Sequence, residues 1–250
     1  MISTTNHISQ KFDQHLARLY STLNELSTLT VSAVHDIKSF IDALADTGEP
    51  LTDSLKQTEQ KISQIFLTET SIDEECERIL ALYQPVASDL RRVITMIRIL
   101  GEIQAIANSL QQMLKLLAKF NEGESVEKSM QIIGADKLSY LAEQAGLLVE
   151  IAMQLIVKTD TNQSKAILKQ YKITKRSYKR LAKLLNKADD QAMGTGKALI
   201  HSFRFAQEFL RVITHVKLII SHFIYLNEGR DTRNLSFKQM REIMKLSHGS

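Results

Sequence analysis

The sequence predicts an all-α protein, and three observations carry that expectation. Turn-forming residues are scarce: 250 residues hold 9 glycines and 2 prolines, so the chain has few places to reverse and its elements must be long. Apolar residues recur three and four apart over long stretches, the period of a helix that buries one face. These stretches number six, and an offset of 106 residues carries the third onto the sixth, as in a duplicated unit. The expected architecture is two tandem antiparallel three-helix bundles made of six long helices.

The first helix is expected over residues 8–46. Phe12, Leu19, Leu26, Ala33 and Phe40 stand seven apart, Leu16, Leu23, Ile37 and Leu44 interleave with them, and Thr30 fills the remaining slot. Gly48 and then Pro50 close it, in the order that ends helices. The second is expected over 52–82, with Thr52 as cap and Leu55, Ile62, Ile65, Phe66, Ile72, Ile79, Leu80 and Leu82 as its apolar set. Asp73-Glu74-Glu75 reads as a solvated face of that helix. In the next turn Pro85 is placed at the first position of a helix, where its missing N–H is not needed. Asp89 falls in the first turn, where the helix dipole favours a negative charge.

The third helix runs to 120 on an unbroken seam of Met96, Ile99, Ile103, Ile106, Leu110, Met113 and Leu117, its methionines serving as core filler. Residues 121–125 form the first boundary. A fourth helix is expected over 126–158, with Leu138, Leu141, Ala145, Leu148, Ala152 and Leu155 on one face. Asp160-Thr161-Asn162 caps a fifth, which reaches 188. After a break at 189–196 the sixth runs to 228, with Phe205, Phe209, Val212, Val216, Ile219 and Phe223 along its core face. The chain is thus divided into units 8–122 and 125–229 and a tail, 230–250. The tail holds a short amphipathic piece at 235–246 and is expected to be mobile.

Composition bounds the setting. Apolar residues make up 44% and charged residues 24%, ordinary for a soluble globular protein. The one cysteine, Cys76, cannot form an internal disulfide, which fits a reducing compartment. Residues 1–12 are polar and lack a signal core. Two apolar stretches are rejected as membrane spans: 146–157 is short and carries Glu150, and 205–226 contains Glu208, Arg211, His215 and Lys217, which would bury charge in lipid. A cytoplasmic chain is expected. A net charge of +4 and a pI near 9.0 agree with an acidic partner or surface without requiring one.

One motif is more specific. Gln84-Pro85-Val86-Ala87-Ser88-Asp89-Leu90-Arg91 resembles the turn before the third helix in the PhoU family of phosphate-transport accessory proteins. Asp73-Glu74-Glu75-Cys76 and Arg78-Ile79-Leu80-Ala81 are similar to that family's acidic, Leu-rich second helix. His215 with Tyr225-Leu226-x-x-Gly229 resembles its closing pattern. The resemblance spans residues 10–229 and implies the two-repeat fold. It also implies a regulator without catalysis, in contact with the phosphate ABC transporter and a membrane histidine kinase, that keeps the phosphate-starvation response off when phosphate is plentiful. Work beside a transporter admits a peripheral position at the inner face of the plasma membrane, and the resemblance admits a homodimer.

The family's hallmark is a metal motif, Glu/Asp-x-x-x-Asp, once per repeat on the third and sixth helices. Two carboxylates four apart share one helix face and offer anionic oxygens that hard cations and iron accept. Counted from Gln84-Pro85, those positions are Gln104 and Asn108; anchored on His215, they are Leu210 and Thr214. None is a carboxylate. Glu102 is the remaining acid near the first, and Glu208 near the second has Val212 four residues on. Ala105 stands where the first motif has its arginine, whereas Arg211 matches it in the second. No metal and no cofactor are expected. Gln104, Asn108 and Gln111 form a polar stripe for the surface or for hydrogen bonds between repeats.

His201, Glu208, His215 and His222 recur every seven residues. Seven residues rise about 10.5 Å, too far for two of them to share a zinc at about 2 Å each, so they read as a polar stripe on the bundle surface. No His-Glu-x-x-His, Cys-x-x-Cys or Gly-x-Ser-x-Gly occurs, and Gly194-Thr195-Gly196-Lys197 lacks the full phosphate-loop spacing. No enzyme is expected.

On the fifth helix Lys165, Lys169, Lys172, Arg176, Lys179, Lys183 and Lys187 step three or four apart, widened by Lys175 and Arg180, with no acid between Thr161 and Ala188. Tyr171, Tyr178, Leu181 and Leu185 take another face. Such a stripe suits an acidic protein or anionic lipid headgroups; a solvated face is the alternative. Nucleic acid is not expected, since no recognised binding motif or aromatic set accompanies it. The candidate partner surface is Lys165, Lys169, Lys172, Arg176, Lys179 and Lys183, with Arg91.

Overall fold

Helix α1 (Ile2–Asp46) sets the frame. Its heptad residues from Leu16 to Leu44, Thr30 included, are buried. It begins ahead of residue 8 because the polar N-terminal stretch holds no Gly or Pro to stop it. The structure, a computed structural model, describes residues 2–46, 52–120, 134–158, 164–189 and 196–246. The expected stops and caps at 47–51, 121–125 and 160–162 lie outside them.

Five more long helices follow: α2 (Thr52–Tyr83), α3 (Ala87–Phe120), α4 (Ala135–Lys158), α5 (Ser164–Asp189) and α6 (Gly196–Glu228). A short α7 (Phe237–Leu246) ends the described chain. Every seam residue expected on α3, α4 and α6 is buried. On α2 one expectation is corrected. Leu82 is 65% exposed, because Ile72, Cys76, Ile79 and Tyr83 form the inward row. Tyr83 completes that row by packing edge-on against Phe12 of α1, at 5.6 Å between ring centroids.

The α2–α3 turn is also corrected in detail. Gln84 ends α2 in a left-handed conformation (φ 45°), its N–H bonded to the Leu80 carbonyl at 3.2 Å. Pro85 then bars continuation. The Val86 carbonyl accepts the first bonds of α3, from Asp89 and Leu90, so Pro85 precedes the helix by two residues rather than opening it. A single helix over 126–158 is likewise excluded. Gly134 has φ +74°, which no α-helix interior accommodates, and its carbonyl receives the N–H groups of Lys137 and Leu138 as α4 starts.

Helices α1, α2 and α3 pack on one another, as do α4, α5 and α6. The two sets meet broadly, α1 on α4 and α3 on α6. Both pairs run antiparallel: Ser139 donates to Asp42 and Gly146 lies against His35, while Arg91 lies against Gly229 and Glu102 against His215. Helices α2 and α5 are therefore the outer ones. Within the second set a buried polar link is fully made: Thr174 Oγ1 donates to the Gln144 carbonyl at 2.9 Å, and Gln170 Nε2 donates to Gln144 Oε1 at 2.9 Å.

By length and hydropathy alone, 87–118, 136–157 and 200–228 would each be long and apolar enough to cross a membrane. The two stretches weighed in the sequence, 146–157 and 205–226, fall within the second and third of these. In the fold the apolar windows of all three are 56% buried against one another and the remaining helices. The tail corrects another expectation, since α7 is docked. Met240 is fully buried, 3.9 Å from Ser221 Oγ of α6, and buried Thr232 sits over the Ser221 carbonyl. Ser236 and Gln239 form a reciprocal cap at the start of α7.

Candidate functional site

The α3–α6 pair gathers most of the residues singled out in the sequence. At one end the Arg91 guanidinium lies over Gly229, where an added Cβ would come within 3.2 Å of it. Gly229 also holds φ +68° and closes α6 with an N–H to the Tyr225 carbonyl at 2.9 Å, a left-handed helix cap. One step inward the Arg98 guanidinium stacks over the Tyr225 ring at 5.1 Å, a cation–π contact. The turn motif and the closing motif, more than a hundred residues apart in the chain, are thus in contact.

Next comes a carboxylate between two imidazoles. Glu102 of α3 meets His215 Nδ1 at 2.7 Å and His222 Nε2 at 3.4 Å. Burial raises its carboxyl, but the hydrogen bonds and charges of the two histidines outweigh that and hold it below the usual range. The heptad row on α6 is therefore no surface stripe: His222 and Glu208 are buried, and His215 and His201 are half-buried. His215 and His222 meet Glu102 of α3, and Glu208 lines the groove between α3 and α6.

Beyond Glu102 the two helices enclose a groove of about 920 Å³, lined by Asn108, Gln112 and Lys115 of α3 and by Arg204, Gln207 and Arg211 of α6, among others. Buried Glu208 at its floor accepts from Arg211 Nη1 with both oxygens, at 3.1 and 3.4 Å.

No protein-family model matches the chain. A phosphate-specific transport system accessory protein PhoU homolog from Pseudomonas aeruginosa is 27% identical over 99% of this chain and 98% of its own length. The crystal structure of PhoU from Pseudomonas aeruginosa superposes with a TM-score of 0.75 at 25% identity, covering 88% of this chain and all of that one. The chain is similar to PhoU proteins over nearly its whole length, in sequence and in fold. Its fold is shared as well with the phosphate transport system regulatory protein PhoU from Streptococcus pneumoniae, at a TM-score of 0.72 and 17% identity over 88% of this chain.

The positions that the sequence resemblance assigns to a metal motif can now be located. Gln104 is exposed and spends its amide N–H on Glu69 of α2, at 3.3 Å. Asn108 is exposed in the groove, Leu210 is half-buried, and Thr214 donates its hydroxyl to the Leu210 carbonyl at 2.8 Å. This donor set does not fit a cation cluster: the motif positions bring no carboxylate, and the groove beside them is lined by Lys115, Arg204 and Arg211. Glu69 itself is buried 7% exposed beside Asp73; burial first, then that neighbouring charge, push its carboxyl up.

On α5 the cations Lys169, Lys172, Arg176, Lys179 and Lys183 are all exposed, as are Lys175, Arg180 and Lys187; the Lys165 side chain lies outside the described residues. Tyr171, Leu181 and Leu185 are buried and Tyr178 half-buried. Between α5 and α4 a groove of about 700 Å³ has Tyr140, Leu181 and Leu184 in its wall, with Lys137, Arg180, Lys183 and Lys187 around it. Arg91, placed in the sequence with this face, sits instead at the α3–α6 end, half-buried. In the acidic triplet, Glu75 is no free solvated charge, since it bonds His15 of α1 and lies 3.4 Å from Arg78. Cys76 is buried, and burial, with Asp73 and Glu75 nearby, pushes its thiol up to about 12, so it is a core residue and a poor nucleophile.

Sequence reasoning missed Lys115, Gln112, Arg204 and Gln207. Each is an ordinary surface residue on its own helix, and only the antiparallel register of α3 and α6 brings them to one groove.

Proposed function

We propose that this chain is an accessory protein of a phosphate transport system, working in the cytoplasm by protein contact rather than by catalysis. In the full reading it contacts the phosphate ABC transporter and a membrane histidine kinase and holds the phosphate-starvation response off when phosphate is abundant. The observation that carries this is the end-to-end likeness to the Pseudomonas aeruginosa accessory protein, 27% identity over 99% of the chain, together with the shared fold. A second reading, an adaptor that docks an acidic partner or an anionic membrane surface through α5, is supported by that helix's exposed, acid-free row of cations.

One strain set tests both. A deletion strain is complemented with the native gene or with Lys172→Glu, Arg176→Glu, Lys179→Glu. The deletion is expected to express phosphate-starvation genes in phosphate-rich medium, and the native gene to silence them. Continued repression in the deletion strain, with no second copy of the gene, would rule out the regulatory reading. The exposed sites tolerate charge reversal structurally, so a variant that is present at normal level yet fails to silence implicates α5. A variant that silences fully returns α5 to a solvated face.

A further inference from the structure

We infer that the groove between α3 and α6 binds a phosphate-bearing anion. It goes beyond the proposed function and stands on the groove's own residues. The register fixed by Arg91 on Gly229 and by Glu102 on His215 sets Lys115 across from Arg204, Gln112 across from Gln207 and Asn108 across from Arg211. All six line the groove. Among the described residues its one carboxylate, Glu208, is buried and committed to Arg211 through both oxygens. That bond cancels one charge and fixes the guanidinium at the groove wall. Among the described residues neither Lys115 nor Arg204 has a carboxylate partner.

Two uncompensated cations facing each other across a helix pair repel, and an anion between them removes the repulsion. The donors fit an oxyanion. Guanidinium groups offer paired N–H bonds, an ammonium group adds a point charge, and the side-chain amides supply further N–H groups. A phosphate group carries about −1.5 to −2 near neutral pH, which matches the two spare positive charges. The groove, at about 920 Å³, admits either the free ion or a larger molecule that carries phosphates.

Isothermal titration of the full chain with inorganic phosphate, pyrophosphate and ATP, at low ionic strength, separates these sources. We expect saturable binding of at least one of them with one site per chain. Inorganic phosphate alone would identify the free ion as ligand; preference for pyrophosphate or ATP would identify a polyphosphate. The double variant Lys115→Gln, Arg204→Gln should weaken that binding about tenfold or more, while Lys172→Gln, Arg176→Gln on α5 should leave it within about twofold. Both pairs are exposed, and circular dichroism melting checks that the fold is kept. Absence of saturable binding up to about 5 mM overturns the inference, as does a loss on the α5 pair with none on the groove pair. Neither result bears on the starvation-gene phenotype, so this inference and the proposed function can fail separately.

Discussion

Glu102 and Glu69 sit on neighbouring helices, and burial acts on both, yet their carboxyl groups move in opposite directions. Glu102 is held down by His215 and His222, so its contribution to stability is present above the unfolded carboxylate value of about 4.3 and is lost as pH falls through its lower folded value. Glu69 is pushed up by burial and by Asp73. Its ionised form opposes folding as pH rises past the unfolded value, with the Gln104 amide as partial compensation. Glu102→Gln should therefore lower stability at pH 7, by about 1–3 kcal/mol for a half-buried charged hydrogen bond, and flatten the acid limb below the unfolded carboxylate value of about 4.3. Glu69→Gln should be neutral or stabilising at pH 7. Urea denaturation of both variants at pH 7 and pH 4 checks this, and equal effects of the two at pH 7 would refute it. Neither direction was legible in the sequence, where both residues are acids on amphipathic helices; the partners come from other helices.

At the scale of elements, helix faces were legible because a 3.6-residue period leaves its mark on each segment alone. The seams of α3, α4 and α6 and the apolar face of α5 are as the periodicity predicts. Helix ends were less so. Gly229 read as part of a closing pattern, and the structure supplies its cause: a left-handed cap at φ +68° beneath the Arg91 guanidinium. Gly229→Ala should destabilise the protein by about 1–2 kcal/mol, the cost of a side chain in that conformation. The guanidinium ends a flexible chain and can yield a few tenths of an ångström, so conformation rather than contact should dominate. In a denaturation double-mutant cycle, Arg91→Ala should leave that cost nearly unchanged; relief of the cost by Arg91→Ala would assign it to the contact. Docking of α7 escaped the sequence reading because ten residues with one amphipathic face do not reveal what they pack on, and Met240 finds its place only once α6 is folded.

For the whole molecule, the chain divides, as we propose, into three-helix units 8–122 and 125–229 with the tail 230–250 on the second. These units are not expected to be independent. Three helices carry more apolar surface than a single bundle buries, enough for each to pass as a membrane span by hydropathy, and the α1–α4 and α3–α6 contacts are where the two sets of helices meet. Fragments 1–122 and 125–250, expressed separately, should lack cooperative thermal transitions and should recover one when mixed. A sharp transition in either half alone would show that its three helices suffice.

What the sequence determined by itself is the inventory of long helices, the face each one buries, the cationic face of α5, and the absence of carboxylates at Gln104, Asn108, Leu210 and Thr214. All of these are properties of one segment or of one position. The tertiary structure decided which helices pair across the units and in what register. From that follow the Arg91–Gly229 contact, the Glu102–His215–His222 cluster, and the meeting of Lys115 with Arg204 and Arg211 in one groove. The physical reason is that local periodicity fixes how a helix faces its neighbours but not which neighbour it meets. Register between distant helices is set by side-chain packing that no single segment encodes.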